Sequence, residues 1–338
     1  MTANVAAIRL TLEDGTDLAA KIDPRLVNLR LTEKREAQAD ELEITLQNAD
    51  GSLVIPETGK VILLSLGWRS GETVPLGLVD KGRFTVDEVG QEGPPDVVTI
   101  RGRSADMTGL LRQRRTKTWK DTTLGAVLGE IARRHGRTAR IAPILTALPI
   151  AAIEQEGKSD MVFVRDLGRR YDAVATWKDG KLVFLPIGAS ASASGTPLAG
   201  QMLTRQDGWR WSFMQADREG ADGAQAQWHD AAAGRRRTVT VGGEVQTDAA
   251  AKPRKLKRVY ASEAEARQAA EAAAGRAARK PWRFTYDLAI ADPALQPDTR
   301  IGLQGWGEKI DGIAWLVESI STEFGANGLR QSIEMESA

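Results

Sequence analysis

Cysteine is absent from this chain of 338 residues, and histidine occurs only twice. Without cysteine the protein has no disulfide bonds, no cysteine-ligated zinc and no cysteine nucleophile. The two histidines, His135 and His229, are far apart in the sequence, and neither lies in a metal-binding spacing such as H-E-x-x-H. We interpret His135 as a cation at the end of a helix rather than as a catalytic base.

An excess of charge of one sign is missing as well, and so are long apolar runs. The 46 lysines and arginines nearly balance the 45 aspartates and glutamates. This balance argues against a general DNA-binding protein, because such proteins usually carry a basic surplus. The most apolar window, "APILTALPIAAI", is too short to span a bilayer. The first residues show no secretory signal, so we expect a soluble protein that is made in the cytoplasm.

Recognisable catalytic motifs are also lacking. There is no G-x-S-x-G motif, and most carboxylates lie on the polar faces of predicted strands or in turns. The run "GLQGWG", with Gly302, Gly305 and Gly307, has the wrong order of glycines for a dinucleotide-binding loop, and no helix is predicted after it. We interpret it as part of a β-hairpin that turns at Asp311-Gly312, with the glycines in or beside strands and no ligand near them. The sequence therefore predicts no catalytic residue, no metal site and no cofactor.

What the sequence does contain, in its N-terminal third, is a regular alternation of apolar and polar residues. The alternation runs through "IRLTLE", "VNLRLT" and "ELEITLQ", and the segments "VILLSLGW", "RFTVDEV" and "DVVTIRGR" also have the composition of strands. A period of two places one face of each strand in a core and the other in solvent. This part of the chain is therefore predicted to be antiparallel β.

Three segments have a helical period instead. The first, "DTTLGAVLGEIARRHG", is predicted to begin at Asp121 or Thr122, and the second, "SDMVFVRDLGRRYD", at Ser159 or Asp160. The third, residues 262–280, begins with a capping box, and one of its faces is almost all alanine. Such a face brings little apolar area, so this helix must lie close against a partner surface or be largely solvated.

Three basic runs interrupt the otherwise balanced charge. They are "RQRRTK" at residues 112–117, "RRR" at residues 235–237 and "KPRKLKR" at residues 252–258. They lack the interleaved aromatic residues on which nucleic-acid bases stack. We interpret them as solvated loops or as contacts with acidic partners.

The order of three longer passages resembles the phage late control D protein family, the baseplate hub proteins of contractile tails. The passages are "DPRLVNLRLTEKREAQADELEITLQNADG", "TKTWKDTTLGAVLGEIARRHG" continuing to "EQEGKSDMVFVRDLGRRYDAVATWKDGKLVFLPIG", and "VYASEAEARQAAEAAAGRAAR" followed by "DPALQPDTRIGLQGWGEKIDGIAWLVESIS". Such hubs are similar to the trimeric hub of myovirus baseplates and to the N-terminal part of type VI secretion VgrG spikes.

The resemblance implies a fold that is mainly β with an α+β insert. It comprises two tube-like antiparallel β-barrel domains and a small α+β domain. We expect the first barrel at residues 1–117 and the α+β domain at 118–188. A linker with additional β segments is expected at 189–260, and a helix and strands that complete the second barrel at 261–338.

The resemblance also implies a function, that of a structural homotrimer which adapts the hexameric tail tube to the trimeric spike. Further expected partners are the tape measure protein and other baseplate proteins, with DNA only passing through. We expect assembly in the host bacterial cytoplasm, in a phage tail, a tailocin or a related injection machine, and no enzymatic activity. Six arginines are candidates for the wall of the central channel: Arg112, Arg114, Arg115, Arg235, Arg236 and Arg237.

Two alternatives stay open at this point. The many carboxylates are compatible with a tail-associated peptidoglycan hydrolase, and the basic runs with a DNA-binding regulatory protein.

Overall fold

The computed structural model describes residues 3–35, 39–54, 57–104, 111, 113–178, 180–191, 196–215, 223–242, 253–279 and 282–338. The protein is mainly β with an α+β insert, as the sequence predicted, and its strands form several sheets.

The first β unit comprises residues 5–103. Its elements are β1 (Val5–Leu12), α1 (Ala19–Ile22), a 3-10 helix (Asp23–Arg25), β2 (Leu26–Lys34), β3 (Glu41–Gln47), β4 (Val61–Ser70), β5 (Gly77–Glu92) and β6 (Val97–Arg103). Leu29, Leu31 and Ile44 are completely buried in its core, as the alternation of apolar residues predicted. Strand β5 changes partner along its length: it pairs with β4 up to Thr85 and with β6 from Thr85 onward.

An α+β unit follows, with its own core. Its elements are β7 (Arg114–Thr123), α2 (Leu124–Arg134), β8 (Thr138–Ile141), α3 (Pro143–Thr146), β9 (Pro149–Ser159), α4 (Asp160–Tyr171), β10 (Ala173–Lys178) and β11 (Lys181–Pro186). Trp119 of β7 stacks on Phe163 of α4, with ring centroids 5.4 Å apart. Strands β7 and β9 form one sheet, and β10, β11 and β8 form another.

The two helix starts in this unit test the capping predictions. Helix α4 begins at Ser159, one of the two predicted caps. Helix α2 does not begin at the predicted Asp121 or Thr122 but at Thr123, whose hydroxyl accepts the backbone N–H of Ala126. Asp121 has φ 46°, so the backbone there is left-handed and the helix starts only after it.

The rest of the chain contributes two more groups of elements. In chain order these are β12 (Gln201–Thr204), β13 (Gly208–Gln215), β14 (Gly223–Asp230), β15 (Arg235–Gly242), β16 (Arg254–Tyr260), α5 (Glu263–Arg279), β17 (Trp282–Leu288), β18 (Arg300–Gln304), α6 (Glu308–Asp311), β19 (Trp315–Gly325) and β20 (Gly328–Ser337). The second β unit consists of β12, β13, β17 to β20 and α6, and its core contains Phe284, Tyr286 and Trp315. Strands β14, β15 and β16 form a separate sheet that packs against α5, here named the helix-backed sheet.

The alanines of α5 let this helix lie close to the helix-backed sheet. Ala266 and Ala270 are completely buried in one cluster with Ala224 and Ala226 of β14. This helix was predicted to belong to the second barrel, and its alanine face lies on the helix-backed sheet. Of the two alternatives that this face allowed, close packing or a largely solvated helix, the structure shows close packing, because two faces of small residues meet.

The beginning of α5 is tied to the α+β unit. The backbone N–H of Glu265 donates to the Ser262 hydroxyl at 3.3 Å, which is one half of the predicted capping box. The Glu265 carboxylate instead accepts hydrogen bonds from Arg170 at 2.9 Å and from the backbone N–H of Ala151 at 3.3 Å. A tertiary ion pair thus replaces the other half of the box.

Strands β2 and β19 join the two β units. They pair antiparallel from Lys34 opposite Ser319 to Asn28 opposite Gly325. The strands of both units therefore belong to one sheet, in the order β1-β4-β5-β6-β3-β2-β19-β20-β17-β13. Leu329 of the second unit lies in the core of the first, so the junction is packed as well as hydrogen-bonded.

Buried ion pairs lie at this junction. Arg35, directly after β2, pairs with Glu336 of β20, and the two side chains are only 2% and 4% exposed. Glu33 of β2 pairs with Lys81 of β5 at 2.8 Å. Lys178 of the α+β unit lies 3.9 Å from the Glu33 carboxylate. Charges from three units therefore meet at one end of β2, and all of them except that of Lys178 are buried.

Glu336→Gln is expected to lower the free energy of unfolding by about 3 kcal/mol, because it removes the carboxylate charge that pairs with the buried Arg35 guanidinium. The matched control is Glu323→Gln, which removes the partner of Arg30 in an exposed pair and is expected to cost less than about 1 kcal/mol. Urea unfolding followed by circular dichroism measures both values. If the two variants lose the same amount of unfolding free energy, the buried pair matters no more than the exposed pair, and the prediction is wrong.

Candidate interaction surfaces

The first basic run lies at the start of β7. Arg112 lies outside the described residues, and Arg114 is exposed. Arg115 is half-buried, and its Nε lies 3.9 Å from a carboxylate oxygen of the buried Asp160. Part of the positive charge of this run therefore faces an acid of the same chain.

The second and third basic runs lie on the helix-backed sheet, on the strands that flank β14. Arg235, Arg236 and Arg237 belong to β15 and are exposed, and Arg237 pairs with Asp230 at 2.8 Å. Strand β16 adds four exposed basic residues: Arg254, Lys255, Lys257 and Arg258. The structure thus brings these two runs onto one sheet, whereas Arg114 and Arg115 lie on the sheet of β7 and β9.

Lys117, at the end of the first run, forms an ion pair with Glu130 of α2 at 2.5 Å. Trp119 Nε1 and Arg134 also donate to this carboxylate, each at 2.9 Å. Burial disfavours the charged form of Glu130, but the three donors outweigh it and lower the pKa of Glu130 to about 2. Glu130 is therefore a charged anchor between β7 and α2.

Asp160 is a second and deeper carboxylate anchor. It is fully buried and accepts hydrogen bonds from Arg134 at 2.9 Å and from Gln155 at 2.8 Å. His135 Nε2 lies 2.7 Å from its other oxygen. His135 stands at the C-terminal end of α2, where the sequence placed it. This set of contacts ties together α2, β9 and the start of α4.

The "GLQGWG" run lies in β18 and in the turn after it. Gly302 is in the strand, and Gly305 and Gly307 follow with φ near +100°. The prediction that no helix follows was wrong, because the one-turn helix α6 begins after Gly307. The hairpin therefore does not turn at Asp311-Gly312 alone. Strands β18 and β19 still pair, over two residues.

Asp311 explains the shape of this turn. Its carboxylate accepts the backbone N–H groups of Gly305 at 2.9 Å and Trp306 at 3.0 Å. Burial opposes its charge, but these backbone donors hold the pKa of Asp311 below its usual value. The backbone N–H groups of Gly305 and Trp306, which resembled part of a phosphate loop in sequence, thus already have an acidic partner in the chain.

No group of three or more histidine or carboxylate side chains within the described ranges is placed to hold a metal ion. No helix in the same ranges is long and apolar enough to cross a membrane.

The sheet that joins the two β units has one polar face, and a single row of alternating charges crosses it. Directly opposite residues on six successive strands form this row, and three of its contacts are ion pairs, at 2.6, 2.7 and 2.9 Å. In strand order from β20 to β5 the row reads Arg330, Glu323, Arg30, Glu43, Arg101, Glu88. Opposite charges at directly facing positions stabilise a sheet. The row crosses the junction between the units, so both units present one charge-paired surface.

Two comparisons of the sequence decide the family. The model of the family described as "Phage tail baseplate hub (GPD)" matches residues 41–328. A relative described as "Probable baseplate hub protein", from Escherichia phage 186, is 34% identical over 99% of this chain and 94% of its own length. The chain belongs to the phage tail baseplate hub family.

Solved structures share the fold of this hub protein. A tail protein from Neisseria meningitidis has a TM-score of 0.68 over 98% of the hub and 97% of its own length, at 11% identity. An Escherichia coli component of the type VI secretion system, described as similar to the T4 tail proteins gp27 and gp5, has a TM-score of 0.54 over 98% of the hub and 76% of its own length, also at 11% identity. The fold is therefore shared well beyond recognisable sequence similarity.

The sequence did not reveal the charge row, nor the contacts that the Glu130 and Asp160 carboxylates make within the hub protein. The row joins residues from distant parts of the chain, since Arg30 and Glu323 are 293 positions apart. Asp160 looked like a helix cap, and nothing local indicated that Arg134 and Gln155 would surround it. The alternation of apolar and polar residues within β2 and β3 was visible, but the strands that lie beside them were not.

The lowered pKa of Glu130 predicts how stability depends on pH. The ordinary pKa is 4.5 and the folded value about 2, so the stabilisation is complete above pH 4.5 and is lost as the pH falls through about 2. Glu130→Gln is therefore expected to make the loss of stability in this window shallower. Lys117→Met removes one donor and is expected to move the loss to higher pH. Urea unfolding at stepped pH measures both, and identical curves for wild type and Glu130→Gln would contradict the assignment.

Proposed function

We propose that this hub protein is a homotrimer that joins the hexameric tube of a contractile tail to a trimeric spike. The observation that carries the proposal is the pair of β units in one continuous sheet. Three copies supply six β units, which suits a sixfold tube, while the threefold axis of the trimer suits a spike. The predicted domain boundaries, at residues 1–117, 118–188, 189–260 and 261–338, belong to this proposal.

The proposed partners are the tail tube protein, the spike, the tape measure protein and neighbouring baseplate proteins. In this proposal the protein is assembled in the host cytoplasm and becomes part of the baseplate. DNA passes through the ring without specific recognition. The channel position of the six arginines stays a prediction. The exposure of Arg114, Arg235 and Arg236 supports it, whereas the contacts of Arg115 and Arg237 with acids of the same chain reduce the positive charge that these two present.

We further propose that the hub is structural and not an enzyme. Family membership supports this, and so does the use of the carboxylates described above: Glu130 and Asp160 hold elements together, and Asp311 holds a turn. The hydrolase alternative is tested by a peptidoglycan zymogram, where clearing above a buffer control would overturn the structural proposal. The DNA-binding alternative predicts a gel shift that weakens with salt, and a shift of this kind at low salt would likewise count against the proposal.

The trimer itself is tested by mass. Purified protein at micromolar concentration is expected to have a native mass close to three times the 36.6 kDa of one chain. Multi-angle light scattering measures this mass directly. Mixing with the tube or spike protein of the same tail is expected to give a larger complex. A mass that stays at that of one chain, alone and with both partners, would contradict the proposal.

A further inference from the structure

The helix-backed sheet has one covered face and one open face. Helix α5 covers the face on which Ala224 and Ala226 of β14 are buried. Side chains alternate between the two faces of a strand, so Gln225, Gln227 and His229 project from the other face. The residues of β15 directly opposite these three are Thr240, Thr238 and Arg236. The open face is therefore polar, and none of these six positions holds a carboxylate.

This sheet also has two open edges, and one of them is protected. Its order is β15-β14-β16, and among the strands that the structure describes, β15 and β16 each pair with β14 alone. Strand β16 follows Pro253. It carries four exposed basic residues, and its pairing with β14 shifts register after Lys255. Basic side chains, proline and bulges are the devices that keep an edge strand from pairing with another chain.

The other edge, that of β15, is regular. Strand β15 pairs with β14 without interruption, from Gly242 opposite Gly223 to Arg235 opposite Asp230. Residues 238–241 read Thr-Val-Thr-Val, and such β-branched residues favour strands. The two valines belong to the core under α5, and the two threonines are exposed. This uninterrupted edge presents backbone N–H and C=O groups with which a further extended segment can pair.

The charge of the sheet decides which kind of segment fits. Strands β14, β15 and β16 contain seven lysines and arginines and one acidic residue, Asp230, whereas the charges of the whole chain nearly balance. Asp230 pairs with Arg237 at 2.8 Å. Within the described ranges, neither Arg235 nor Arg236 forms an ion pair with a carboxylate, and both are exposed. Two guanidinium groups at the start of β15 are therefore available to the carboxylates of a partner.

Two other kinds of occupant fit this edge less well. A second copy of β15 would bring together two sheets with the same excess of positive charge, and such like-charge contacts are unfavourable. Nucleic acid has no amide backbone that could extend the sheet, and none of the six positions on the open face holds an aromatic ring of Phe, Tyr or Trp on which bases could stack. An extended acidic polypeptide suits both the edge and the charge.

We infer that the outer edge of β15 binds an extended acidic segment of another protein, which adds to the helix-backed sheet as a fourth strand. Main-chain hydrogen bonds hold such a segment. Arg235 and Arg236 select a segment with carboxylates, since opposite charges at facing positions stabilise strand pairing. The inference goes beyond the proposed function. It requires neither the trimer nor the channel position of the arginines, so the failure of either leaves it standing.

Fluorescence anisotropy tests the contact with a defined probe, a fluorescein-labelled octapeptide in which glutamate and valine alternate. The wild-type chain is expected to bind this peptide and not the peptide in which lysine replaces glutamate. Arg235→Glu combined with Arg236→Glu is expected to weaken binding about tenfold or more, because each reversal turns an attraction between strands into a repulsion.

The matched control is Lys255→Glu combined with Lys257→Glu. It changes the charge of the same sheet by the same amount, but at the protected edge on the far side of β14. Because salt screens charges at a distance, this control is expected to weaken binding less than about threefold. A control that weakens binding as much as the β15 variant would overturn the inference.

Hydrogen exchange shows where the peptide lies. Saturating peptide is expected to slow the amide exchange of residues 235–242 and to leave residues 254–260 unchanged. Binding without slower exchange in β15 would show a contact of charges alone and overturn the inference, and so would the absence of binding. Displacement of the peptide by single-stranded oligothymidylate would show a nucleic-acid surface instead. Slower exchange in β15 that depends on protein concentration without peptide would show β15 against β15, and either result would also contradict the inference.

Discussion

The pairing of β2 with β19 is the constraint on which the rest of the structure depends. It turns two β units, each with its own core, into one sheet, and it fixes their relative direction and register. The buried pair of Arg35 and Glu336 lies at the same junction. A buried ion pair is weak evidence for stability, because desolvation offsets much of the attraction. It does penalise any arrangement that separates the two partners, and we regard this as its role here.

The proposed function depends on this constraint, because the constraint decides what each face of the sheet presents. On one face of the sheet the apolar residues of each unit are buried in separate cores. The other face carries the charge row from Arg330 to Glu88, in which the charges largely compensate one another. In the proposed ring, a channel through which DNA or a protein passes needs a wall that holds neither of them, and a charge-paired surface meets this need better than a basic one. The α+β unit and the helix-backed sheet then lie outside this sheet, tied to each other by Arg170 and Glu265.

Much of the fold could be predicted from local pattern. Alternating residues identified β2 and β3, helical spacing identified α2 and α4, and a capping serine identified the start of α4. The start of α2 was misplaced because Asp121 adopts a left-handed backbone that its residue type does not require. Helix α6 was missed because a single turn of helix has no period to detect, and Asp311 stabilises it only through contacts that form in the folded turn. Only half of the predicted capping box at Ser262 is present. The Glu265 carboxylate instead accepts a hydrogen bond from Arg170, which is almost a hundred positions away in the sequence.

The interaction surfaces were less predictable, because they depend on which strands lie side by side. Basic runs were visible in the sequence, but their acidic partners Glu130, Asp160 and Asp230 become neighbours only on folding.

The most direct measurement of the central claim is electron cryo-microscopy of the purified assembly, at a resolution that separates strands about 4.8 Å apart. The account predicts a threefold ring in which β2 and β19 stay paired and the charge-paired face lines the channel. A ring whose two β units are separated at that junction, or whose charge-paired face points outward, would contradict it.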